Sequence, residues 1–554
     1  MPKAAPDFAL DSAAPVGEST ITAWPRLCLV LLCLALWLPG FFTLPPTDRD
    51  ESRFAQATRQ MLQTGDFVRI MNGAEPRNRK PIGIHWLQAP FAEAAAQAGI
   101  ATANPIWPYR IPSLLGGIAA VLATYSLGLT LLANRRAAFL AAALLAGCVI
   151  LTVEAHIAKT DAALLGATTI AMAVLARAWT GARLKLPEAM LFWVALGAGI
   201  LIKGPITPLV VGASTAACGL TAGRWSWLRP LRPLAGGVVL LAVILPWFIA
   251  IGLATHGAFF ADSVGGDLGR KLAGGSESHG APPGLHALLL PLLVFPATLP
   301  VLCGLGTACG HRRETATRFL LCWLVPAWLL FEAVPTKLPH YTLPLYPALM
   351  LLAAAWLMRP TAPRWLTLAG QTLTLVAATI LGIGALALPL LLLEAWWLGV
   401  PALAAAALVG WLAVRQRLLP ALLAGILLYA SILQLELPAL SRVWLAPRIV
   451  ALLRAQGELP ANGEGLVSTG FAEPSLMFLA GTDIVWSPTG DAAAVELARH
   501  SHGVALVTAD NVAGFESRIA RLGLSVRWLG AVKGFNPARG KTIVVTVFAR
   551  DGAS

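Results

Sequence analysis

Apolar runs about as long as a bilayer is thick recur along most of the chain, separated by short polar loops. A spanning helix needs roughly 20 predominantly apolar residues. On that criterion the pattern predicts about thirteen transmembrane helices, starting near residues 26, 110, 137, 161, 188, 205, 234, 286, 318, 340, 365, 397 and 418. The first follows a polar tail, residues 1–25, and runs to Leu44 with no small-residue cleavage pattern after it. It is expected to be a retained signal-anchor helix. The pattern changes beyond residue 440. Short strands are predicted at Gly465–Thr469, Asp483–Trp486, Val504–Thr508, Leu524–Leu529 and Thr542–Phe548, with helices at Glu473–Ala480, Asp491–His500 and Val512–Leu522 between them. Such alternation predicts a small α/β domain over 440–554. It carries no Gly-rich phosphate loop, so its expected role is to cap the membrane part or guide an acceptor. The fold class is therefore mainly α, a membrane domain over 26–439 followed by this smaller unit.

Loop charge orients the spans. One alternate set of loops holds Arg135 and Arg136, Arg183 and Lys185, Arg224, Arg229 and Arg232, Arg312, Arg313 and Arg318, Arg359 and Arg364, and Arg415 and Arg417. Basic excess marks the cytoplasmic side. The N-terminus is then cytoplasmic, and the other loops face outward: 45–108, 154–161, 203–205, 255–285, 335–340, 394–398 and everything after 440. Composition agrees. Of 554 residues 57% are hydrophobic and 12% charged, against roughly 25% charged in soluble domains. The net charge of +13 would suggest nucleic acid in a soluble protein, but here most of it sits in topology-setting loops. Seven cysteines form no CxxC pair, which implies neither a disulfide framework nor a zinc finger.

The outer segment 45–108 is long for a loop, and such loops are usually functional. Phe54, Ala57, Met61 and Leu62 recur at helical spacing, and Gly65 is placed to end the helix. The reading is an amphipathic helix along the membrane surface. Asp50 and Glu51 fall at its start, where the helix dipole favours carboxylates, so Asp50 by itself is either a helix-terminal residue or a catalytic one. Arg77-Asn-Arg-Lys-Pro81 is a basic cluster on the side that should lack one. Lys203, and Lys337 before Pro339-His340-Tyr341, share that side. Isolated charges at membrane depth are functional candidates, and together these could grip a phosphate or pyrophosphate beside carboxylates.

Asp50-Glu-Ser-Arg-Phe-Ala55, Arg59-Gln-Met61, Thr64-Gly-Asp66, Asn72-Gly73 and Lys80-Pro81, followed in order by Thr160-Asp161, Lys203-Gly204 and Lys337-Leu-Pro-His-Tyr-Thr-Leu-Pro344, resemble the outer motifs of the aminoarabinose transferase and protein mannosyltransferase group. The resemblance covers the membrane part and is weakest after residue 440. It implies a GT-C fold and inverting transfer of a sugar from a polyprenyl (undecaprenyl) phosphate donor at the outer face of the bacterial inner membrane. Lipid A, another envelope glycan and a protein all stay open as acceptor. Carried over position by position, it makes Asp50 and Asp161 the catalytic acidic residues. It makes Arg53, Arg59, Lys80, Lys203, Lys337 and Tyr341 donor-phosphate contacts.

The chain departs from the group at two places. Arg79 replaces a Glu, and Asp267 replaces a His; in the family that Glu and His bind zinc. The expectation is an Arg79–Asp267 ion pair and no metal cofactor, although His279, His286 and His340 remain possible ligands. Two other classes stay in view: a flippase or transporter for lipid-linked sugars, and a non-catalytic envelope assembly subunit. Transporters place polar groups at the bilayer midplane on broken helices, whereas the charges here gather in outer loops.

Overall fold

A computed structural model describes residues 24–100, 104–269, 280–537 and 539–551. Among them, nine helices are long and apolar enough to cross a membrane. A tenth results if Arg135–Gly147 and Val149–Ala155, bent by 62° at Cys148, form one broken span. Pro25–Trp37, Ile206–Ala222 and Thr298–Ala308 are shorter apolar helices. Each expected start meets one of these elements; the one near 286 meets Leu285–Leu293, which leads into Thr298–Ala308. The chain is a multi-pass membrane protein.

Burial separates core from periphery. In Pro233–Ala254 only 17% of the apolar window is buried, so its side chains are left for lipid. In Asp161–Trp179 and Pro339–Met358 the shares are 72% and 78%. These two central helices begin with Asp161 and with the Pro339-His340-Tyr341 turn. Small residues fix Asp161–Trp179 against Trp107–Leu132. A Cβ on Gly116 would stand 2.5 Å from the Ala163 Cα, and one on Gly166 would stand 2.7 Å from the Gly116 carbonyl oxygen. Only glycine permits that approach, and it seats the first turn of the helix that carries Asp161.

The expected amphipathic helix forms over Asp50–Thr64 and ends at Gly65 with φ 70°, as its sequence predicts. Phe54, Ala57 and Met61 are buried. The difference lies on the other face, which is covered too. Glu51, Ser52, Gln56 and Thr58 are all buried, and the region after residue 440 forms a roof over the helix. The Gln56 amide donates to Thr482 Oγ1 at 2.8 Å, and the Ser475 backbone N–H donates to Asp48 Oδ1 at 3.3 Å. Uncharged polar side chains tolerate this because each can find a partner inside. Burial, with Glu473 nearby, pushes the Asp48 carboxyl up to about 6, against the lowering by its Ser475 hydrogen bond and Arg53.

That later region is a five-stranded mixed sheet. Its strands are β1 (Leu466–Thr469), β2 (Val485–Ser487), β3 (Val504–Thr508), β4 (Val526–Asn536) and β5 (Lys541–Arg550). Their order is β2-β1-β3-β5-β4, with β1 parallel to β2 and β3, and β5 antiparallel to β3 and β4. Helices Pro474–Ala480, Gly490–Leu497 and Ala509–Leu522 lie between the strands, as predicted. Strand β4 extends seven residues beyond its expected end at Leu529. A bulge between Trp528 and Gly530 breaks the alternation there, which makes the continuation unreadable as one strand.

Candidate active site

The site forms where five segments converge. The helix Asp50–Thr64 supplies Asp50 at its first turn. The Arg77–Lys80 loop follows a two-residue hairpin, Met71–Asn72 with Glu75–Pro76. Residues 154–161 supply Glu154, Lys159 and Asp161. Lys203 ends the helix Leu186–Lys203, beside the turn at Pro339–Leu345.

Asp161 is the hub. Its Oδ1 accepts from the Lys203 ammonium at 2.5 Å, and its Oδ2 lies 3.6 Å from the Lys159 Nζ. His340 Nε2 is 3.7 Å from Oδ1. Lys159 also reaches Glu154 Oε1 at 3.0 Å and the other His340 nitrogen, Nδ1, at 3.4 Å. The Lys203 ammonium stands 5.3 Å from the centre of the Tyr341 ring. Glu154, Lys159 and Asp161 are each under 10% exposed, so these charges can coexist only by mutual neutralisation. Burial works against the Lys159 charge, but Glu154 and Asp161 outweigh it and hold its pKa above the ordinary lysine value.

Asp50 sits beside this hub, with Oδ1 3.8 Å from Arg77 Nη2. Burial raises its carboxyl, but Lys80, Arg77, Lys159 and Arg53 more than offset that, leaving it below the usual range. It is therefore ionised at neutral pH. Lys80 is shifted the other way: burial, Lys203 and Arg77 outweigh Asp50 and Asp161 and bring its ammonium down to about 7.

A cavity of about 480 Å³ opens from this cluster. Its polar end is lined by Arg79, Lys80, Asp161, Lys203, His340 and Tyr341. Away from them the lining is apolar and includes Leu164, Ile200, Leu209, Phe248, Phe259 and Phe331.

Two of the sequence-derived phosphate contacts lie elsewhere. The Arg59 guanidinium donates to the Phe478 carbonyl at 2.7 Å and to Asn462 Oδ1 at 3.2 Å, so it ties the outer helix to the sheet region. The Lys337 ammonium donates to the carbonyls of Val334 at 2.7 Å and Ala281 at 3.0 Å. Neither lines the cavity. Arg53 also stays outside the lining but acts on the Asp48 and Asp50 charges.

Three features went unread in the sequence. Glu154 and Lys159 complete the hub, and Glu51 pairs with Arg110 beneath Asp50. The available signal was charge itself: Glu154, Lys159 and Asp161 are the charged residues of one short outer loop. Arg110 is a lone guanidinium at the start of an apolar run.

Arg79 lines the cavity where the family would place a carboxylate, and a guanidinium has only donors. Among the described residues no group of three or more His, Cys, Asp or Glu could hold a metal. His286 is engaged with Glu332 at 3.4 Å and the Leu338 carbonyl at 3.1 Å. The side chain of Asp267, and all of His279, lie outside the described residues.

A multi-pass helical membrane part carrying a mixed-sheet region, with a charged cluster between them beside an apolar cavity, has a GT-C architecture. The crystal structure of ArnT from Cupriavidus metallidurans bound to undecaprenyl phosphate superposes with a TM-score of 0.73 at 18% identity, covering 95% of this chain and 98% of that one. Its apo state gives 0.69 at 19% identity, with the same coverage. The profile of the dolichyl-phosphate-mannose-protein mannosyltransferase family matches residues 79–249. An undecaprenyl phosphate-alpha-4-amino-4-deoxy-L-arabinose arabinosyl transferase of Pectobacterium carotovorum is 28% identical over 377 residues, 64% of each chain. A protein of the same name from Pseudomonas fluorescens is 27% identical over 380 residues, 65% of each. The alignment thus spans just under two thirds of the length of these relatives. The chain is aminoarabinose-transferase-like in sequence and fold.

Proposed function

We propose that this protein is an inverting glycosyltransferase that takes its sugar from a polyprenyl-phosphate donor and passes it to an envelope acceptor at the outer face of the bacterial inner membrane. The observation that carries this reading is the cavity: one end is cationic, and the rest is an apolar chamber among membrane helices. A polyprenyl phosphate has that same division, an anionic head on a hydrocarbon chain. The positive-inside pattern of the loops supports a cluster outside the membrane and an N-terminus in the cytoplasm.

The chemistry follows from the residues. A phosphate ester is a good leaving group once its developing charge is stabilised, and preorganised cations supply that. Lys80 and Lys203 face the space where the phosphate would sit, with Tyr341 beside them. Asp161, itself paired with Lys159, holds Lys203 in place. Asp50, ionised and next to this cluster, orients an acceptor hydroxyl and takes its proton as attack proceeds. Where the acceptor is itself a phosphate, that proton is absent and Asp50 only positions groups. The sheet region, roofing the Asp50 helix, guides the acceptor. The sugar and the acceptor are set by cavity contacts that carry no local motif; lipid A, another envelope glycan and a protein all stay open as acceptor. The alternative of a lipid-linked-sugar transporter lacks support from charges placed on broken midplane helices.

Binding tests the reading. The purified full chain should bind undecaprenyl phosphate saturably and undecaprenol at least tenfold more weakly, since only the former engages the cations (about 1.4 kcal/mol per tenfold). Equal affinity for the two lipids would overturn the proposal.

A further inference from the structure

Phe54 is buried in the outer helix, and its ring is the meeting point of two cations. The Arg77 guanidinium carbon lies 4.4 Å from the ring centre and the Lys80 Nζ 4.8 Å from it. Both distances are within cation–π range. Hydrogen bonds from the Arg77 N–H to the Ile70 carbonyl at 2.7 Å and from the Arg79 N–H to the Arg77 carbonyl at 2.9 Å fold the 77–80 loop, which brings both long side chains to one ring. A third ring backs the arrangement. His85 lies 5.6 Å from Phe54, centre to centre, and shares a hydrogen bond of 2.8 Å with the Thr58 hydroxyl, which donates onward to Gln88 at 2.7 Å. Burial, with Arg77 and Lys80, drops the His85 imidazole to about 3, so it adds no third charge.

Among the described residues the Lys80 ammonium makes no hydrogen bond and no ion pair within 4 Å; its close partner is the Phe54 ring. A buried ammonium needs compensation. Here the ring face supplies it without an oxygen acceptor, and the N–H donors turned away from the ring stay available for a ligand. The ring also attracts the Arg77 guanidinium.

We infer that Phe54 is a positioning residue. Its π-face holds the Lys80 ammonium at the cavity, charged and with N–H donors free, so that it can grip the donor phosphate. The inference rests on the phosphate-binding reading above and adds to it the device that keeps the site's least partnered cation in place. Shape alone would explain a buried Phe54 equally well, so the test must change the ring's electrostatics and keep its size. Phenylalanine analogues with one, two and three ring fluorines at position 54 do that, with Phe54→Leu as the end point.

The readout is the affinity of the purified full chain for undecaprenyl phosphate across pH, with undecaprenol as control. The groups facing Lys80 are Asp50, Asp161, Lys203 and Arg77. A lysine brought down to about 7 loses its charge as pH rises through that value, so affinity should fall over the same interval. The lipid phosphate's own ionisation is common to all variants and cancels in the comparison. Each added fluorine should weaken binding and move the midpoint to lower pH, because a less electron-rich ring stabilises the ammonium less. Phe54→Leu should lose about tenfold. The thermal midpoint of the ligand-free protein should hold across the fluorinated series. If the wild type prefers undecaprenyl phosphate but neither affinity nor midpoint moves with fluorination, Phe54 is only a core residue and the inference fails. A wild type that does not distinguish the two lipids overturns the phosphate reading itself.

Discussion

Asp50→Asn should lower the rate of sugar transfer by about 10²–10⁴-fold, the range for a positioned general base, while leaving undecaprenyl phosphate affinity, measured well below pH 7 where Lys80 stays protonated in both proteins, within a few-fold of wild type. The separation arises because Asp50 does not line the cavity whose polar end holds Lys80 and Lys203. Asparagine keeps the shape and the helix-start position but can no longer accept a proton. The sign of the pH dependence follows. The Asp50 carboxyl is depressed below its ordinary range, so it remains an active base well into mildly acidic conditions. Activity should instead fall on the alkaline side, as Lys80 loses its proton near pH 7. Single-turnover transfer from a pre-bound polyprenyl-phosphate sugar separates chemistry from binding. A variant with wild-type rate would remove Asp50 from the reaction, as would an Asp50→Asn rate loss accompanied by an equal loss of donor affinity.

Glu51→Ala should be the most destabilising single substitution near the site, costing about 3–5 kcal/mol. Glu51 and Arg110 are both essentially fully buried. The carboxylate accepts from Arg110 Nε at 2.7 Å and Nη2 at 3.1 Å, from the Thr47 N–H at 2.8 Å and from the Ala158 N–H at 3.0 Å. Arg110 also donates to the carbonyls of Phe41, Leu44 and Pro45. One ion pair therefore joins the end of the first apolar helix, the Asp50 turn and the loop that carries Lys159. Truncating Glu51 strands a buried guanidinium. Removing both charges should cost far less than removing one, so Glu51→Leu with Arg110→Met should recover much of the loss in denaturation of the detergent-solubilised protein. A Glu51→Ala variant that unfolds like wild type would contradict this role.

The membrane helices and the sheet region were legible because their signals are periodic and local. Runs of about 20 apolar residues, Gly65 after a helical stripe, and strand-helix alternation past 440 each depend on neighbours in sequence. The site was legible only through motif order, and unevenly. Lys80, Asp161, Lys203 and Tyr341 converge, but their pairing does not follow sequence distance: Lys203 meets Asp161 across 42 residues and Arg110 meets Glu51 across 59. Arg53 and Arg59 look alike in sequence and differ only in what lies above the helix. Phe478 and Asn462 claim Arg59 from more than 400 residues away. Lys337 reads as a free outer cation until Val334 and Ala281 are seen to take its donors. Lys159 stands only two residues before Asp161, yet it bridges Glu154, Asp161 and His340.

The central claim, sugar transfer from a lipid phosphate by the Asp50 cluster, is tested most directly in cells. Envelope lipids and glycans from a strain lacking this protein should be compared by mass spectrometry with those of the same strain carrying wild type or Asp50→Asn. The account predicts that one glycosylated species disappears in the deletion, returns with wild type and stays absent with Asp50→Asn. An unchanged envelope in the deletion, or full restoration by Asp50→Asn, would contradict it.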